Sequence, residues 1–182
     1  MRIASIVLAA GLIPLWAQEI KLPPGLEKLS DKAEHSVDVT MSKSMLQMAA
    51  RFLSDRDGDG AKTRKLVGGL EGVTVRSFEF AREGEYNLAD VDALRTQLQA
   101  PAWSRIVGVR SRTGDENFDL YFKTTPSGQL GGVVLISAQP TQLTIVNVTG
   151  NIDPDQLGDL GGQFGIPQFN VGGWSMGKRG AR

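Results

Sequence analysis

Residues 103–148 read WSRIVGVRSRTGDENFDLYFKTTPSGQLGGVVLISAQPTQLTIVNV, and this run decides the fold. It divides into four apolar-rich segments, Trp103–Arg112, Glu116–Lys123, Gln129–Ser137 and Gln142–Val148. Between them stand Thr113-Gly114-Asp115, Pro126-Ser127-Gly128 and Gln139-Pro140-Thr141, residues that suit tight reversals. Strands joined by loops this short must run antiparallel, because a parallel pair needs a crossover of roughly a dozen residues. Phe118, Leu120 and Phe122 alternate with Asn117, Asp119, Tyr121 and Lys123, which predicts a strand that buries its apolar side and exposes the other. Val133 to Ile136 is continuously apolar and reads as a central strand.

Upstream, the pattern mixes periods. Leu26, Leu29 and Ala33 predict a helix over LEKLSDKAEH; Val37, Val39 and Met41 predict a strand over Ser36–Met41. Met45, Met48, Ala49 and Phe52 then mark the buried stripe expected of a helix ending near Ser54. A short helix over Lys62–Leu70 stops at Gly68-Gly69. The strand Gly72–Ala81 is irregular: Val73 and Val75 share one parity, Phe78 and Phe80 the other. Either both faces are covered, or a bulge near Arg76-Ser77 restores the phase, and the bulge is preferred. Asn87 caps the clearest helix, with Asp90 three residues on and Tyr86 and Val91 set for a hydrophobic staple. Leu88, Val91, Leu94 and Leu98 form its stripe, and Pro101 ends it. Gly131-Gly132 reads as strand glycines that permit close packing or a bend, and a last short helix is expected over Pro154–Leu160. The class is α+β: an antiparallel sheet of about six strands, the last four a meander, with helices on one face.

The ends differ in texture from this domain. Residues 1–17, MRIASIVLAAGLIPLWA, place Arg2 before an uncharged apolar run and a small residue, Ala17, at the expected cut. That order predicts a secretory leader, and the run is short for a membrane span. Residues 18–25 form a proline-bearing linker, residues 26–167 the single domain, and residues 168–182 a Gly-rich basic tail expected to be disordered.

Composition removes several function classes. The chain has no cysteine, hence no disulfide, thiol nucleophile, zinc–thiolate site or acylated lipobox. Lys+Arg and Asp+Glu both number 20, so nothing in the charge points to nucleic acid. Asp55, Asp57 and Asp59 with Gly60 open like a calcium loop, yet Lys62 and Leu66 stand where an apolar residue and a bidentate glutamate belong. The segment is read as a solvated turn. Met41, Met45 and Met48 are read as core filler rather than a copper site. His35, the one histidine, is read as a solvated helix end. The glycine pairs lack the lysine and spacing of nucleotide loops. No catalytic, cofactor or metal residue is assigned.

Three stretches carry a resemblance: PAWSRIVGVRSRTGDENFDLYF, GQLGGVVLISAQPTQLTIVNVTGNID and DQLGDLGGQFGIP. They resemble the bacterial exported family designated domain of unknown function 4252, from about Leu26 to Pro167 and most densely after Pro101. The resemblance implies a fold and an envelope location, but no reaction or catalytic residue; DRDGDG and the basic tail depart from it. The expected function is a non-enzymatic, soluble exported module that binds an envelope protein or component through the sheet face carrying Asn117, Asp119, Tyr121 and Lys123. Its rivals are an enzyme or small-ligand carrier, and an accessory of an extracytoplasmic sigma-factor system, which the resemblance implies.

Overall fold

The computed structural model describes residues 20–51, 64, 65, 67–112, 117–153, 170, 171, 174 and 175. Six strands form one sheet: β1 (His35–Ser42), β2 (Leu70–Glu79), β3 (Trp103–Arg110), β4 (Asn117–Thr124), β5 (Leu130–Gln139) and β6 (Gln142–Gly150). Their order is β1-β2-β6-β5-β4-β3, with every neighbouring pair antiparallel. The meander lies where the short turns require it, and the last strand closes against β2. A separate two-residue ladder pairs β7 (Asn170–Val171) with β8 (Trp174–Ser175).

Helices flank both faces and not the one face expected, because β2 is apolar on both. Its register against β1 and β6 runs unbroken from Gly72 to Glu79, so no bulge exists at Arg76-Ser77. Phe78 and Phe80 face α1 (Pro24–Glu27) and α3 (Leu88–Thr96), in a core with Leu26, Leu29, Val91, Leu94, Leu98, Val134, Ile136, Leu143 and Ile145. Val73 and Val75 face the other way, with Val146, Val148 and Ile152, under Leu46 and Ala50 of α2 (Lys43–Arg51) and Val67 of the helical residues at 67–69. The parity break is a strand with two cores. It is not a slipped one.

Three local expectations shift for identifiable reasons. The helix expected over LEKLSDKAEH shrinks to α1 and a 3₁₀ turn, Leu29–Asp31, because the Glu34 N–H bonds the Glu79 carbonyl and the sheet ladder begins at His35. His35 therefore opens β1, exposed, instead of ending a helix. In α2 the buried side chains are Leu46 and Ala50, while Met45 and Met48 are 52% and 60% exposed. The stripe is turned by more than one residue's ~100° step, so these two methionines do not fill the core. In α3 the Asn87 side chain accepts the Ala89 N–H at 2.9 Å, as its capping role requires. Leu88, however, stands about 90° round from the centre of the Val91–Leu94–Leu98 stripe, and it is 51% exposed. Gly131 supplies the expected bend. It is the extra residue where the β4–β5 register slips, and a Cβ there would meet the Thr125 methyl at 2.7 Å.

Candidate functional site

The site begins with an irregularity in β3. Arg105 pairs with Tyr121 and Val107 with Leu120, so Ile106 is an extra residue bulged from the ladder. The bulge changes the strand's phase: Arg105, Gly108 and Arg110 all lie on the face that carries Asp119 and Tyr121. Gly108 sits opposite Asp119, and a Cβ there would stand 3.3 Å from the Arg105 guanidinium carbon. Glycine at that position lets the Arg105 side chain lie back over its own strand.

Asp119 is completely buried, and three guanidinium groups surround it. Arg110 donates from Nη2 to both carboxylate oxygens at 2.8 Å, and Arg95 from α3 donates from Nε to Oδ2 at 2.8 Å. Arg105 stands 3.6 Å away as an ion pair. Arg95 also grips Asp92 at 2.7 Å and Asn117 at 2.9 Å, so it ties the helix to β4. A buried carboxylate is costly unless paired and hydrogen-bonded, and this one is both. Burial pulls the Arg95 pKa down, but its bond to Asp92 and the charge and bond of Asp119 outweigh that and hold it above the ordinary value. Burial pushes the Tyr121 phenol up and the Asp119 charge adds to this, against Arg105, Arg95 and Arg110.

Asn117, Asp119, Tyr121 and Lys123 do share one face, as their alternation requires. That face is turned inward at its centre: Asp119 is 0% and Tyr121 5% exposed. The expected open polar surface on β4 is thus corrected. Arg95 and Arg110 neutralise the charge that should have kept it outside, and Lys123 lies over the Trp103 ring with its Nζ 5.7 Å from the centroid. The alternate residues, Phe118, Leu120 and Phe122, are only half-buried. Sequence reasoning missed Arg95, Arg105 and Arg110. The odd spacing of Arg105 and Arg110 hid their common face, and only the bulge at Ile106 reveals it.

The chemistry available is recognition of an anion. Asp119 is already committed to guanidinium groups and is no free base. The three arginines outnumber Asp119 and Asp92 by one charge, and Arg105 and Arg110 keep 55% and 42% of their side chains exposed. Elsewhere, a depression of about 360 Å³ beside α2 is lined by Gln47, Ala50, Arg51, Arg64, Val67 and Gly68, with no nucleophile–base pair. Among the described residues no three His, Cys, Asp or Glu side chains gather as a metal site, and no helix is long and apolar enough to cross a membrane. Asp55, Asp57 and Asp59, the helix expected over Pro154–Leu160 and residues 1–17 lie outside the described residues.

No curated protein matches the chain. Residues 30–160, which hold the whole six-stranded sheet, match the family described as Domain of unknown function (DUF4252), and the chain belongs to that family.

Proposed function

We propose that this protein is a non-enzymatic, exported binding module that engages an acidic segment of an envelope protein through its β3 edge. One observation carries the reading: Arg105 and Arg110 stand half-exposed on an edge strand while Asp119, the carboxylate between them, is sealed beneath. Among the described residues only β4 pairs with β3, so β3 ends the sheet and its outer backbone can serve an extended partner. Ile106, 54% exposed at the bulge, supplies an apolar contact between the two charges. A second copy fits this edge poorly, because pairing two such strands would oppose arginine to arginine. The leader-like residues 1–17 support export, and guanidinium–carboxylate pairing supports an acidic partner.

The test is fluorescence anisotropy with a labelled extended peptide of alternating glutamate and valine. The protein is expected to bind it, with affinity falling as salt rises. The variant carrying Arg105→Glu and Arg110→Glu is expected to lose at least about tenfold, since each charge-assisted contact is worth about 1.5–3 kcal/mol. Equal binding by the variant, or equal binding of a lysine–valine peptide, would sink the reading.

A further inference from the structure

Among the described residues the sheet ends in β1 on one side and β3 on the other, and the two ends are unlike in charge. β1 is exposed at every position but Val39 and Met41; it carries Asp38, and Glu34 stands one residue before it. The Glu34 N–H bonds the Glu79 carbonyl, which joins this residue to the ladder. Asp38 is steadied by Arg76 at 3.4 Å and is still 59% exposed. The β3 end is basic, through Arg105 and Arg110.

We infer that β1 of a second copy seats on β3, so that copies join edge to edge, a pairing that rests on the reading of β3 as a dock for acidic strands. Direction fits. Five successive antiparallel pairings separate β1 from β3, so a second copy set beside the first without turning over meets it antiparallel. Faces fit, because one row across the sheet runs Asp38, Arg76, Ile145, Ile136, Asp119, which puts Asp38 on the face of Arg105 and Arg110. Spacing fits as well. The bulge sets Arg105 and Arg110 opposite Tyr121 and Asn117, four ladder steps apart, and Glu34 and Asp38 are also four residues apart, about 13 Å in each case. With Arg105 against Asp38 and Arg110 against Glu34, each arginine meets a carboxylate. The same register brings Ile106 to Val37, the exposed large apolar residue of each edge strand. A second copy fits poorly through its own β3, where arginine opposes arginine, and β1 on β1 sets acid beside acid. An interface unlike on its two sides does not close on itself, so the array grows with concentration until an envelope partner seated on β3 ends it.

The chain has no cysteine, so single ones report the pairing. Full-length Val37→Cys and a tagged full-length Ile106→Cys are mixed in equal amounts, oxidised and run on a non-reducing gel, where the tag separates the possible dimers. The mixed dimer is expected several-fold above either like pair. Arg105→Glu on the Ile106→Cys chain should lower it several-fold, and Asp38→Lys on the Val37→Cys chain should then restore it; both side chains are more than half exposed, so the fold tolerates the exchange. No dimer, a statistical mixture of dimers, or a mixed dimer indifferent to these charges would overturn the inference. Peptide binding in anisotropy together with a statistical mixture overturns the array alone. A dominant mixed dimer without peptide binding supports the array and removes the envelope partner.

Discussion

At the scale of single residues, Asp119 shows how a charge enters a protein interior. Its carboxylate is stabilised from two elements at once: α3 through Arg95, and β3 through Arg110 and, beside the bulge, Arg105. Asp119→Ala is expected to cost about 3–5 kcal/mol in urea unfolding, because it removes the buried partner of Arg95, the one of the three guanidinium groups that is itself largely buried. Arg105→Gln should cost less than about 1 kcal/mol, since that side chain is mostly exposed and only loosely paired. Tyr86 and Tyr121 are the chain's two tyrosines, and burial is the leading cause that raises both phenols. Their ionisation in the folded protein is therefore expected above the ordinary value of about 10, measured by phenolate absorbance. The unfolded chain ionises first, so their contribution is complete below about pH 10 and is lost as pH climbs through the folded values. Replacing both by Phe should flatten that alkaline loss.

At the scale of elements, what was legible in the sequence was whatever depends on neighbours along the chain. The meander, its turns at Pro126-Ser127-Gly128 and Gln139-Pro140-Thr141, the Asn87 cap and the Gly131 bend come from local rules, and each is present, while Thr113-Gly114-Asp115 lies outside the described residues. What was hidden depends on partners far away in sequence. Phe118, Leu120 and Phe122 looked like the buried side of β4, because alternation says which residues share a face but not which face a helix will cover. Asp119 and Tyr121 could go inside only because Arg95 and Arg110 arrive from elsewhere. For the same reason, Met45 and Met48 suggested a stripe that α2 turns to solvent. Leu94→Ala is expected to destabilise by about 2–5 kcal/mol, and Leu88→Ala by less than about 0.5 kcal/mol, in thermal or urea melts. Equal costs would mean that α3 is rotated. Val75→Ala and Phe78→Ala should both be severe, since they empty different cores.

At the scale of the whole molecule, the sheet is a platform with two unlike long edges. β1 ends one side and the arginine-bearing β3 the other, so binding at β3 leaves the α2 side of the molecule undisturbed. If residues 1–17 are a leader, the protein recovered from the cell envelope begins at Gln18, and mass spectrometry of its N-terminal peptide reads this directly. An intact Met1 there would remove the export part of the functional reading.

The strand order also sets a timetable. β2 has its permanent neighbour on one side in β1, but its other neighbour is β6, so Leu70 waits for Gly150. A chain synthesised or threaded from its N-terminus holds the β1–β2 ribbon with one edge of β2 unsatisfied until nearly the whole domain has emerged. Closing that long loop is entropically slow compared with zipping the local meander. Completion is therefore a late event, and a nascent chain stopped before β6 keeps that edge of β2 unpaired.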